Sequence, residues 1–113
     1  MESTALQVAL AYHRAWAGKD LDRAMTYIAD DIVCEAPPGR IEGVAAYREF
    51  MAPFVSMLLS TTVLASFGDD ETALIMYDTA TTRVPSWPAA EWVTVVDGRI
   101  TRSWFIFDRK RGA

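Results

Sequence analysis

The chain has 113 residues, of which 51% are hydrophobic, and its formal net charge is -4. This length suits one domain over residues 1–113, with a hydrophobic core that needs no disulfide. The negative charge argues against nucleic acid as a partner, and a single cysteine and a single histidine argue against a metal cluster. No apolar run reaches membrane-spanning length and no secretory signal opens the chain, so we expect a cytoplasmic protein that does not enter a membrane.

The N-terminal half is predicted to be mainly helical. Ser3 or Thr4 can cap the first helix, and Pro53 is expected to kink or break the third. A short strand over 32–35 precedes the third helix. The helical periodicity covers residues 4–17, 20–29 and 44–59.

The C-terminal half shows strand periodicity from residue 60 onward. Asp97-Gly98 joins the last two strands and predicts a hairpin. The four predicted strands cover residues 61–67, 72–82, 90–96 and 99–107. Helices followed by strands predict an α+β fold, in which a cone-shaped, curved antiparallel sheet wraps around the three helices and leaves a cavity.

The outer face of this sheet is predicted to be strongly apolar. By alternation it carries Trp92, Val96, Trp104 and Ile106. Because this is too much apolar surface to leave in water, we expect a homodimer formed through the outer sheet face.

Glu91 is the first candidate for a functional residue. If Val93 and Val95 face the core, alternation places Glu91 on the same face. A buried carboxylate is costly unless it is paired or protonated. Glu91 is therefore either part of a site or an acid that is hydrogen bonded within the core for structural reasons.

Three stretches of the chain resemble a known superfamily. They are KDLDRAMTYIADDIVCEAPPG (Lys19 to Gly39), GVAAYREF (Gly43 to Phe50) and the hairpin EWVTVVDGRI followed by WFIFD. In these, and in the order of its elements, the chain resembles the SnoaL-like, ketosteroid-isomerase-like superfamily, also called nuclear transport factor 2-like. The resemblance implies a cystatin-like α+β barrel without a cofactor or metal, on which isomerases, cyclases, dehydratases, hydrolases and non-catalytic binders occur.

The resemblance also implies roles for individual residues. Tyr12 falls at the position of the oxyanion tyrosine of ketosteroid isomerases, and Glu91 at the position of their protonated acid. Their catalytic base would fall at residue 36, which is Ala36 here. Chemistry like that of limonene epoxide hydrolase would need an Arg and an Asp two residues apart on the strand of Glu91, and position 89 is Ala89.

Asp78 is the candidate for the missing base. If Leu74 and Met76 face inward, then so does Asp78, and two carboxyl groups would share one cavity and drive their pKa values apart. Under this hypothesis Asp78 moves the proton while Glu91 and Tyr12 polarise a carbonyl group. The alternatives are that Asp78 faces water or sits at a bulge, and that Tyr12 is only a core residue.

The predicted cavity binds a small hydrophobic molecule. The residues that we expect to line it are Trp16, Cys34, Phe50, Phe54, Met57, Met76, Trp87, Val93 and Phe105. Three functions stay open: a cofactor-independent isomerase, cyclase or dehydratase for a small hydrophobic carbonyl compound, a non-catalytic ligand-binding protein, and a dimeric interaction module with a filled interior.

Overall fold

The fold, seen in a computed structural model that describes residues 4–108, is α+β, as predicted. Within this range three helices and six strands follow one another along the chain. The helices are α1 (Thr4–Ala17), α2 (Leu21–Met25) and α3 (Val44–Met57). The strands are β1 (Ile28–Ala36), β2 (Gly39–Glu42), β3 (Leu58–Gly68), β4 (Thr72–Thr81), β5 (Trp87–Val96) and β6 (Arg99–Phe107).

The six strands form one curved sheet in the order β2-β1-β6-β5-β4-β3. All neighbours are antiparallel except β1 and β6, which run parallel. The sheet is unclosed, with β2 and β3 as its edges, so it is not a complete barrel. Asp97 and Gly98 both have positive φ (51° and 77°), as expected for the tight hairpin turn between β5 and β6.

The element boundaries differ from the prediction mainly where one element passes directly into the next. The second helix ends at Met25 rather than near residue 29, because the chain from Ile28 is already paired with β6. Pro53 lies inside α3 without breaking it. Trp87 and Pro88 belong to β5 rather than to a loop, since they pair with Thr79 and Asp78 of β4. Ser3, the alternative cap of the first helix, lies outside the described residues.

The core lies between the helices and the concave face of the sheet. Its largest side chains include Trp16 and Tyr12 from α1 and Tyr47 from α3, all of which are almost fully buried. Apolar residues of β4, β5 and β6 complete it from the sheet side. Burying these rings against the sheet is the main favourable term in the stability of the fold.

The convex face of the sheet carries large exposed apolar side chains, as its alternation predicts. Trp92, Trp104 and Ile106 are 49%, 52% and 61% exposed. The two tryptophans lie side by side, with ring centroids 6.4 Å apart. None of the described helices is both long and apolar enough to cross a membrane.

Candidate functional site

A cavity of about 220 Å³ lies between α3 and the inner faces of β4, β5 and β6. Its walls are nearly all aromatic or aliphatic, and Tyr77 and Thr79 of β4 supply the hydroxyl groups among the lining residues. Phe50 and Phe105 form one wall with ring centroids 5.7 Å apart. The full lining is Phe50, Met51, Pro53, Phe54, Met57, Tyr77, Thr79, Trp87, Ala89, Phe105 and Phe107.

Trp87 is held at this cavity by two ring contacts and two hydrogen bonds. Its ring packs edge-on against Phe54 and Phe107, with centroids 6.2 Å and 5.4 Å away. Its indole N–H donates to the carbonyl of Asp108 at 2.9 Å. Its backbone N–H donates to the carboxylate of Asp78, also at 2.9 Å. The position of this cavity wall therefore depends on hydrogen bonds that reach outside the cavity.

Glu91 is buried, as the alternation of β5 predicts, and it is hydrogen bonded. Ser103 Oγ donates to Glu91 Oε2 at 2.6 Å, and the Tyr47 hydroxyl donates to the same oxygen at 3.4 Å. The Tyr12 hydroxyl is in turn hydrogen bonded to the Tyr47 hydroxyl. The four side chains form a continuous polar network inside an otherwise apolar core.

Burial dominates the electrostatics of this network. It raises the pKa of Glu91 to about 7, although the hydrogen bonds from Ser103 and Tyr47 favour the charged form and oppose the shift. Burial, together with the charge of Glu91, raises the pKa of Tyr12 and of Tyr47 well above 10. The two phenols therefore stay protonated at any physiological pH, while Glu91 titrates near neutrality.

The polar network lies behind the cavity wall rather than in it. Glu91 and Tyr12 are absent from the cavity lining. Tyr47 connects the two regions, because its ring stacks on Phe105 at 6.5 Å and packs on Phe50 at 6.4 Å. The carboxyl group of Glu91 is therefore outside the cavity lining and is linked to the cavity wall through Tyr47.

The prediction that Asp78 faces inward is wrong. The inner face of β4 carries Ile75, Tyr77 and Thr79, whereas Leu74 and Met76 are 42% and 44% exposed on the outer face. Asp78 shares this outer parity. Its carboxylate accepts hydrogen bonds from Ser86 Oγ at 2.9 and 3.0 Å, and from the Trp87 N–H. Asp78 thus holds the turn between β4 and β5, and it is not the second acid of a cavity.

Four of the predicted lining residues lie elsewhere. Met76 is on the outer face for the reason given above. Trp16, Cys34 and Val93 are buried in the core and do not line the cavity. Trp16 lies behind the wall, in contact with Phe54 and Tyr77, and burial raises the pKa of the Cys34 thiol to about 12.

Five predicted residues do line the cavity: Phe50, Phe54, Met57, Trp87 and Phe105. Sequence reasoning missed Tyr77 and Thr79 because both faces of β4 are apolar enough to be read as the inner one. It also missed Ser103 and Tyr47, the partners of Glu91. The alternation of β6 places Ser103 on the same face as Phe105, which was the available signal.

Among the described residues, no three His, Cys, Asp or Glu side chains lie close enough together to hold a metal ion. Ala36, at the end of β1, and Ala89, in the cavity wall, bring no acid or base to the cavity. The arrangement therefore combines an apolar cavity that has two hydroxyl-bearing residues in its wall with a buried acid, Glu91, that lies outside the lining and has a pKa of about 7.

This fold and cavity define a small α+β domain of the nuclear transport factor 2-like class. The model of the SnoaL-like domain family matches residues 9–103, and the chain belongs to that family. A comparison with curated proteins found no match.

Solved structures agree with this assignment. A protein from Kribbella flavida DSM 17836, known from a crystal structure, is 56% identical in sequence. The match covers 98% of this chain and 92% of that protein's chain, and the TM-score is 0.96. A putative ketosteroid isomerase from the same organism is 20% identical with a TM-score of 0.78, covering 94% of this chain and 78% of its own. An LEH-like epoxide hydrolase of M. tuberculosis is 19% identical with a TM-score of 0.77, covering 96% of this chain and 85% of its own. The last two show the shared fold alone.

Proposed function

We propose that this protein binds a small, neutral, largely apolar molecule in the cavity between α3 and β4–β6. The observation that carries the proposal is the cavity lining, which combines eight aromatic, methionine or proline side chains of α3 and β5–β6 with the two hydroxyl-bearing residues of β4. Apolar concave sites with a few polar groups are the usual form of small-molecule binding sites.

The size and charge of the cavity restrict the ligand. Its volume of about 220 Å³ is below the roughly 300–1,000 Å³ of sites for drug-sized ligands. The ligand is therefore smaller than a drug-sized molecule, such as a compound with one or two rings. No lining residue carries a charge, and a charged ligand would lose its hydration without gaining a partner.

The test uses tetralin and its ketone α-tetralone as probes, with binding measured by calorimetry. Ala89→Leu places a larger side chain in the cavity wall and should abolish binding of both probes. Ala90→Leu is the matched control, because Ala90 is the next residue of β5 and lines the opposite, outer face. Equal binding by both variants, or no binding to the wild type, would contradict the proposal.

A second candidate function is proton transfer on a small hydrophobic carbonyl compound, as in a cofactor-independent isomerase, cyclase or dehydratase. The observation that favours it is the pKa of Glu91 at about 7, which suits a group that exchanges protons at neutral pH. The absence of Glu91 from the cavity lining weighs against it, because an acid or base must come within hydrogen-bond reach of the substrate.

Deuterium exchange at the carbon next to the carbonyl of α-tetralone tests this candidate. NMR in D₂O follows the exchange directly. A wild-type rate above that of Glu91→Gln supports proton transfer through Glu91. Equal rates leave ligand binding as the function of the cavity.

We also propose that the protein forms a homodimer through the convex sheet face. The support is a groove lined by Leu74, Ala90, Trp92, Trp104 and Ile106, in which four large apolar side chains are more than 40% exposed. Contiguous apolar patches of this kind mark protein interfaces.

Sedimentation velocity tests the dimer. Trp104→Glu places a charge in the groove and should give a monomer, while Leu59→Glu alters an exposed apolar residue outside the groove and should leave the dimer intact. A wild-type protein that sediments as a monomer at tens of micromolar would refute the proposal.

A further inference from the structure

Two threonines of β4 are buried on the same face of the sheet but differ in their hydrogen bonds. Thr79 and Thr81 are 1% and 4% exposed. Thr81 Oγ1 accepts hydrogen bonds from the backbone N–H groups of Arg83 and Val84, at 3.2 and 3.3 Å. Thr79 Oγ1 has no hydrogen-bond partner among the residues that the structure describes.

An unpaired buried hydroxyl lowers the stability of a protein, because it has lost its hydrogen bonds to water and gained none in return. Buried polar groups without a partner are rare in folded proteins, and each needs an explanation. Thr79 differs from an ordinary core threonine in that it lies in the wall of the cavity, next to Trp87 in the β4–β5 pairing. A bound ligand is therefore the natural source of the missing partner.

The other unpaired buried atom in the described chain is Trp16 Nε1. Trp16 does not line the cavity, and the rings of Phe54 and Tyr77 pack against it from the cavity side. A ligand in the cavity would meet those rings first. Thr79 is thus the residue of the cavity wall whose buried hydroxyl has no partner among the described residues.

We infer that Thr79 is a specificity-determining residue that donates a hydrogen bond to the one polar group of an otherwise apolar ligand. The ligand class is a neutral mono- or bicyclic compound that carries a single hydrogen-bond acceptor, such as a ketone. An acceptor is favoured because the Thr79 hydroxyl has a single O–H to donate, and that donor has no partner among the described residues. This inference rests on the proposed function and adds the chemical class of the ligand to it.

The experiment compares α-tetralone, which has the acceptor, with tetralin, which lacks it. Calorimetry gives the dissociation constants of both probes for the wild type, Thr79→Val and Thr81→Val. Valine keeps the shape of threonine and removes the hydroxyl. Thr79→Val should weaken the binding of α-tetralone by about five- to tenfold, the factor that one neutral hydrogen bond contributes, and should leave tetralin unchanged. Thr81→Val should preserve the wild-type ratio between the two probes.

The melting temperatures of the free proteins provide a readout that needs no ligand. Thr79→Val should melt higher than the wild type, because it removes an unpaired buried hydroxyl. Thr81→Val should melt lower, because it leaves two backbone N–H groups without an acceptor. A lower melting temperature for Thr79→Val would show that its hydroxyl is already paired, which overturns the inference.

The binding results separate this inference from the proposed function. If both probes bind and the Thr79→Val variant keeps the wild-type preference for α-tetralone, the cavity function holds and the role of Thr79 is refuted. If neither probe binds to the wild type, the proposed function and this inference fall together.

Discussion

Replacing Glu91 by glutamine should change how the stability of this protein depends on pH. Glu91 is buried, and its pKa in the folded protein is raised from the ordinary value of 4.5 to about 7, because burial disfavours the carboxylate. Glutamine has nearly the same shape and cannot ionise. The comparison therefore isolates the free energy that is needed to ionise this one buried acid.

The direction follows from the numbers of protons bound by the folded and unfolded chains. Below pH 4.5 the carboxyl group is protonated in both states, and its ionisation does not affect stability. Between pH 4.5 and about 7 the unfolded chain has lost the proton and the folded chain keeps it, so the stability of the wild type falls as the pH rises. Each pH unit corresponds to about 1.4 kcal/mol, which gives a total of about 3 kcal/mol across the window.

Urea denaturation of the wild type and of Glu91→Gln between pH 4 and pH 8 measures this effect. The quantity to plot is the difference in unfolding free energy between the two proteins. The glutamine amide adds N–H groups that need partners, and this contributes a constant offset. The difference should shift in favour of the variant by about 3 kcal/mol across the window and level off above pH 7.

Ser103→Ala provides a second arm of the same experiment. In the wild type, the Ser103 hydroxyl donates to Glu91 Oε2 and lowers the pKa of Glu91. Without it the pKa should rise, so the loss of stability should extend to higher pH than in the wild type. A free-energy difference between the wild type and Glu91→Gln that is the same at every pH would refute the reasoning for Glu91 itself.

Three further predictions concern other buried or positioning groups. His13 has its pKa lowered to about 4 by burial and by Arg14, so His13→Gln should lose less stability than the wild type in urea titrations as the pH falls from 6.5 to 4, and an identical loss would contradict this. Cys34 is buried and has its pKa raised to about 12, so a maleimide should label it only in urea, and rapid labelling of the folded protein would show that the thiol is accessible. Asp78→Ala should cost about 1 kcal/mol in urea denaturation and weaken binding of α-tetralone, because Trp87 loses a backbone hydrogen bond; unchanged affinity would show that Trp87 is held without Asp78.

The effects of His13 and Glu91 oppose each other. Acidification from pH 6.5 to 4.5 makes His13 costly to keep neutral, while it removes the cost of keeping Glu91 protonated. The wild-type profile should therefore be flatter in this range than that of either variant. For this reason the separate contributions of His13 and Glu91 to stability can be measured only by comparing the single variants with the wild type.

The fold was predictable because local sequence patterns specify most of its helices and strands. Helical spacing in α1 and α3, alternation in β5 and β6, and the Asp97-Gly98 turn each specify their element without help from distant residues. The burial of Glu91 also followed, since period-two alternation with Val93 leaves one choice of face.

The strand β4 shows where such reasoning fails. Alternation separates its residues into two sets, and both sets are apolar: Leu74 with Met76, and Ile75 with Tyr77. Nothing in the strand itself says which set meets the helices. The wrong choice moved Asp78 into the cavity and left Thr79 out of it.

The sequence alone predicts an α+β domain with a buried glutamate on its penultimate strand, because local periodicity and turn chemistry are properties of neighbouring residues. The SnoaL-like family came from the resemblance of three stretches of the chain. Only the tertiary structure decided that Glu91 lies outside the cavity lining, that its partners are Ser103 and Tyr47, and that Thr79 belongs to the cavity wall with its hydroxyl unpaired. These facts depend on how α3 packs against the sheet, and that packing joins residues far apart in the chain, such as Tyr47 and Glu91, which are 44 positions apart.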